Sequence, residues 1–107
     1  MALNTIEFKC KSANPTAEIK TQAHFGVTGS SDLEVLMFPA ELGGEVSVKI
    51  VTPVSGFDAL WQRVLGAFVE RSNIGNVAIE INDNNATPAV VSLRLRQTLA
   101  EAMSPAD

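Results

Sequence analysis

The chain has few of the side chains on which small enzymes rely. Its 107 residues include one cysteine, Cys10, one histidine, His24, one tryptophan, Trp61, and no tyrosine. A single cysteine excludes an internal disulfide, which fits a reducing cytoplasm. Together with one histidine it also falls short of the four ligands that a structural zinc site takes. No Cys-x-x-Cys, His-Glu-x-x-His, P-loop or dinucleotide-binding fingerprint occurs. Positive charge is scarce too. Lysines and arginines number 8 against 12 aspartates and glutamates, a net charge of -4 and a pI near 4.9. A nucleic-acid-binding surface needs the opposite balance. No apolar run nears the roughly 20 residues of a membrane-spanning helix. Met1 to Glu7 lacks the basic-then-apolar order of a secretory signal. The expectation is a cytoplasmic protein that carries or binds something and does not catalyse alone.

What is present is ordinary globular material. Apolar residues make up 46% and charged residues 19%, which argues against disorder and for one domain spanning 1–107. Asn4 to Cys10 alternates, with Ile6, Phe8 and Cys10 on one face, and reads as a strand. Ser12-Ala13-Asn14-Pro15 breaks it, and Ala17 to Gln22 has no period. Ala23 to Val27 reads as a short strand. Leu33 to Phe38 is almost wholly apolar and reads as a strand buried on both faces. Glu45 to Val51 alternates again, and the Gly43-Gly44 loop before it suggests an antiparallel pair with Leu33–Phe38.

Two helices follow. Ser55 and Asp58 have the spacing of a capping box. Phe57, Leu60, Trp61, Val64, Leu65, Phe68 and Val69 then recur at steps of three and one, the mark of one buried helical face, with Trp61 in the core. Val77, Ile79 and Ile81 form another strand. Thr87 as N-cap and Pro88 at the first helical position open the second helix, with Val91, Leu95 and Leu99 inward and Arg94 and Arg96 toward solvent. The tail from about 103 to 107 reads as frayed. Strands, helix, strand, helix in that order predict an α+β two-layer sandwich: a mainly antiparallel sheet of about four to five strands with two helices on one face.

The stretch around which the rest is arranged runs from Gly26 to Leu36 and contains Gly29-Ser30-Ser31-Asp32-Leu33-Glu34-Val35-Leu36. By composition alone it is a β-turn of turn-favouring residues leading into a strand. It resembles the Gly-Ser-Gly-Asp segment of the acyl carrier (delta) subunit of malonate decarboxylase and, more distantly, that of the citrate lyase acyl carrier. A second segment, Val77-Ala78-Ile79-Glu80-Ile81-Asn82-Asp83 followed by Ala86-Thr87-Pro88, resembles the same family at similar spacing. Arg94, Arg96 and Trp61 stand where the family has arginines and a tryptophan. The resemblance covers about Phe25 to Ala102.

The resemblance implies a non-catalytic carrier. Its serine would hold a phosphoribosyl-dephospho-coenzyme A group, 2'-(5''-triphosphoribosyl)-3'-dephospho-CoA, through a phosphodiester. That serine falls on Ser30, with Ser31 as the alternative. Acetyl and malonyl thioesters would ride on the arm. The implied partners are the acyl transferase and decarboxylase subunits and a prosthetic-group transferase. An unmodified structural or regulatory subunit, or a citrate-lyase-type carrier, are the rival readings. The Asp-Leu-Glu-Val-Leu run and the Ala-Thr-Pro turn favour malonate. Two positions depart from the family: Ser31 replaces a glycine, and Asn84-Asn85 replaces an aromatic and a glycine. Asp32 would orient the serine or contact the transferase, and its charge opposes direct phosphate contact. Asn82 and Asp83 would face a partner or form an Asx turn. Arg94 and Arg96 would be solvated charges or would pair with cofactor phosphates. His24 is expected to be structural, and Cys10 a small buried hydrophobe.

Overall fold

The five segments that read as strands become strands, and the two periodic segments become helices. A computed structural model of the chain describes residues 3–103. The elements are β1 (Asn4–Cys10), β2 (Ala23–Gly26), β3 (Asp32–Pro39), β4 (Val46–Thr52), α1 (Asp58–Ser72), β5 (Val77–Asn84) and α2 (Pro88–Met103). Met103, placed at the edge of the tail by sequence, is the last residue of α2. Residues 1–2 and 104–107, and the expectations that concern them, lie outside the described residues.

The strands form one sheet in the order β1-β4-β5-β3-β2. Pairs β1·β4, β2·β3 and β3·β5 are antiparallel, and β4·β5 is parallel, joined through α1. The α+β sandwich with a mainly antiparallel sheet is therefore as the sequence predicts. The expected pairing of Leu33–Phe38 with Glu45–Val51 is not, because β5 lies between them. Asn76 shows how the gap is held. Its main chain accepts from Ala40 N–H and donates to Glu45, each at 2.9 Å, so it is bonded to both flanking strands' ends. Its Oδ1 accepts from the Leu42 and Gly44 amides, both at 2.9 Å, which satisfies the connecting loop. Thus β5 enters as a wedge, and Val77 pairs with Pro39 on one side and Val46 on the other.

One face of the sheet carries the core. Leu33, Val35 and Met37 of β3, Val46 and Ile50 of β4, and Val77, Ile79 and Ile81 of β5 are buried against the helices. Burying a side chain of this size contributes roughly 1.5–3 kcal/mol. Leu36 and Phe38 point to the other face and remain partly exposed, so β3 is not buried on both sides. In α1 the stripe resolves into Trp61, Leu65 and Val69 buried, with Val64 and Phe68 packed beside them. Phe57 lies just before the helix and is half-exposed. The Ser55–Asp58 capping box does not form. Gly56 has φ +88, which turns the chain away, and Phe57 is the N-cap with no side-chain hydrogen bond. The second helix starts as the sequence predicts, Thr87 Oγ1 accepting from Val90 N–H at 3.3 Å. The segment without a period, Ala17 to Gln22, is tied by backbone bonds at both ends. Ala17 bridges Ile74, and Lys20 and Thr21 donate to the Ala102 carbonyl at 3.0 and 3.3 Å, with Ile19 buried between.

Candidate functional site

The Gly29-Ser30-Ser31-Asp32 stretch is the tip of the β2–β3 hairpin. Asp32 N–H donates to the Gly29 carbonyl at 3.1 Å, closing a β-turn with Ser30 and Ser31 at its two central positions. Ser31 has φ +61 and Ser30 is not among the positive-φ residues, the pattern of a type II turn, whose third position favours glycine. Both serines are exposed. A Cβ added at Gly29 would meet only Val27 Cγ2, at 3.8 Å, so there is room for an approaching group beside Ser30.

Three ties hold the turn on the sheet. Ser31 N–H donates to the Asn84 carbonyl at 2.9 Å, continuing the β3–β5 ladder one step beyond its last pair, Asp32 with Asn84. Arg94, on α2, grips Asp32 with two bonds, Nε to Oδ1 at 3.1 Å and Nη2 to Oδ2 at 2.8 Å, while its Nη1 donates to Gln97. Leu33 N–H adds a third bond to the same carboxylate at 2.7 Å. The Arg94 stem crosses Gly26, where φ is +89 and a Cβ would overlap the Leu33 carbonyl oxygen. Only glycine fits there. The Arg94 hydrogen bonds, with the Leu33 amide, hold the Asp32 carboxyl below its ordinary range, and Arg94 is pushed above its own.

Arg94 is therefore not a solvated helix charge. It is the anchor of the turn, and it is committed to Asp32. Arg96 is exposed, as the helical period predicts. On the open face of the sheet a second chain of bonds runs beside the turn: Asn82 Nδ2 donates to Glu34 Oε1 at 2.8 Å, and His24 Nε2 lies 2.9 Å from Glu34 Oε2. The Asn82 bond, with help from His24, lowers the Glu34 pKa. Asp83 points into the other face and is buried. It accepts from Thr52 Oγ1 at 2.8 Å and from the Asn85 and Ala86 amides at 3.2 and 3.0 Å, so it forms an Asx turn ahead of α2. Trp61 lies in the core, 8% exposed. Cys10 is half-buried, and burial pushes its thiol pKa up. Sequence reading missed the Arg94–Asp32 pair because 62 residues separate the partners and no local period marks it.

Residues 20–102 match the family model described as the malonate decarboxylase delta subunit. The chain belongs to the malonate decarboxylase delta-subunit, or acyl carrier, family. A malonate decarboxylase acyl carrier protein from Malonomonas rubra is 54% identical over 102 residues, covering 95% of this chain and 91% of the relative. Another from Burkholderia cepacia is 44% identical over 102 residues, covering 95% and 93%. A chain from the crystal structure of a Pseudomonas malonate decarboxylase hetero-tetramer in complex with malonate superposes with a TM-score of 0.74 at 32% identity, covering 95% of this chain and 99% of that one. The family match spans both segments that carry the sequence resemblance. No helix among the described residues is long and apolar enough to cross a membrane.

Proposed function

We propose that the chain is the non-catalytic acyl carrier of a cytoplasmic malonate decarboxylase and that Ser30 Oγ bears its phosphoribosyl-dephospho-coenzyme A arm. The observation that carries this reading is an exposed hydroxyl on a turn tied to the sheet at Asn84 and to α2 through Arg94. A carrier needs both properties: access for the enzyme that loads it, and a rigid base from which the arm is presented. Attachment forms a phosphodiester between Ser30 Oγ and the innermost phosphate of the triphosphoribosyl donor. Pyrophosphate leaves, and the serine proton goes to a base on the loading enzyme. Ser30 thus needs no base from its own chain. When bound, the arm supplies the thiol on which acetyl and malonyl groups are carried. Pairing with Arg94 offsets the Asp32 charge, which would otherwise repel the phosphodiester. Transferase and decarboxylase subunits are the partners that the arm must reach. The Pseudomonas relative is found in a hetero-tetramer, which supports such an assembly.

Intact-mass measurement tests the reading. Protein purified from its own cells, or co-expressed with the loading enzymes, should carry the mass of the nucleotide arm. Ser30→Ala should lose that increment and Ser31→Ala should keep it. An unmodified wild-type mass after co-expression would refute attachment. Retention in Ser30→Ala with loss in Ser31→Ala would move the site by one residue.

A further inference from the structure

An apolar pocket opens where α1, α2 and the ends of β4 and β5 meet. It holds about 200 Å³ and is lined by Val54, Phe57, Leu60, Trp61, Asn85 and Val91, among others. The turn is close by. Ser31 donates to the Asn84 carbonyl, and Asn85 is the next residue, so Ser30 and the pocket mouth lie roughly two strand spacings apart, about 10 Å. A phosphodiester and one ribose cover that span. In the arm as proposed above, the group that follows them is adenosine.

We propose that this pocket seats the adenine ring of the arm attached at Ser30, with the Asn85 side-chain amide reading the edge of the base. The inference rests on the attachment proposed for Ser30. Size favours one ring system, since the volume lies below the roughly 300–1,000 Å³ of sites that take a whole drug-sized ligand. The wall offers two aromatic side chains, Trp61 and the half-exposed Phe57, on which a flat base stacks. Charge favours a neutral guest. The one carboxylate in the pocket, Asp83, is already engaged by the Thr52 hydroxyl and two backbone amides. Asn85 is different: its backbone amide is engaged, but no hydrogen bond among the described residues occupies its side chain. An asparagine amide matches the donor and acceptor pair on adenine N6 and N7. The pantetheine end of the arm is a poorer guest, because it brings two amides to a pocket with one unengaged amide. Seating the adenine leaves that end free to reach other subunits.

Trp61 is the only tryptophan, so its emission reports the pocket without background from tyrosine. The unmodified full chain is titrated with adenosine, with 3'-dephospho-coenzyme A and with phosphopantetheine. The first two should change the emission saturably, and phosphopantetheine should not. Asn85→Gly keeps the backbone at its φ of +66 and removes the amide. It should weaken adenosine binding roughly tenfold. In the modified protein the emission should already be shifted, and added adenosine should change nothing. No saturable response to adenosine overturns the proposal. So does a response to phosphopantetheine alone, or wild-type affinity in Asn85→Gly. The titration needs no covalent arm. A missing mass increment would therefore remove the Ser30 reading and leave the titration interpretable. A silent titration would remove the pocket assignment and leave the mass increment standing.

Discussion

Replacing Ser31 by glycine is expected to stabilise the protein. Ser31 holds φ +61 at the third position of the hairpin turn, in the left-handed region. For an L-residue with a Cβ that conformation costs roughly 1–2 kcal/mol. Its side chain is exposed and makes no hydrogen bond among the described residues, so Ser31→Gly removes strain without removing a contact. Glycine returns part of the gain through the greater freedom of the unfolded chain, roughly 0.4–1 kcal/mol. The net gain is about 0.5–1 kcal/mol. In a domain of this size that corresponds to a rise in Tm of roughly 2–8 °C. Scanning calorimetry on the unmodified chain measures it, with Ser30→Gly as the control. Ser30 is not in the left-handed region, so its glycine variant loses only on the unfolded side and should melt slightly lower. A Tm that falls in Ser31→Gly, or rises equally in both variants, would refute the assignment of strain to Ser31.

Other outcomes follow from the same geometry. The folded pKa values of Asp32 and Glu34 lie below their ordinary values of 3.8 and 4.5. The stability they contribute is present above those values and is lost as pH falls through the depressed ones. Urea midpoints should drop on acidification, and Asp32→Asn should flatten that acid limb. Leu65→Ala, at a residue with 0% exposure, should cost about 2–5 kcal/mol in urea unfolding with an unchanged m-value. Asp83→Ala leaves the Thr52 hydroxyl and two backbone amides without their acceptor and should cost about 2–3 kcal/mol. The Cys10 thiol, with its pKa raised by burial, should react with a disulfide reagent more slowly at neutral pH than a free cysteine does.

The elements were legible because their signals are local. Alternation in Val77-Ala78-Ile79-Glu80-Ile81, the three-and-one spacing of α1 and the Thr87-Pro88 start each depend on a few neighbouring residues. The exposed turn at Ser30 was legible for the same reason. What failed was partnership across distance. A six-residue loop between β3 and β4 suggests a hairpin, yet Asn76, more than thirty residues later, satisfies that loop and lets β5 slide between the strands. The Ser55–Asp58 capping box failed on one backbone angle, φ +88 at Gly56, which composition does not reveal. Arg94 looked like a solvent-facing charge on a helical wheel. It turns back because glycine at position 26 leaves its stem a path to Asp32. The family resemblance marked Ser30, Asp32 and Arg94 separately and said nothing of the bonds that join two of them.

The wedge at β5 also dictates when the turn acquires its final shape. Before β5 is made, the sheet exists only as two ribbons, β1 with β4 and β2 with β3, that share no edge. Pairing across such sequence distances is slow compared with local structure. The bond from Ser31 goes to Asn84, and the anchor of Asp32 comes from Arg94, both in the last third of the sequence. A nascent chain leaving the ribosome can therefore display the two serines long before it can display them rigidly. An enzyme that selects the rigid turn modifies only molecules whose sheet has closed. The tip therefore reaches its final shape only once β5 and α2 have been made.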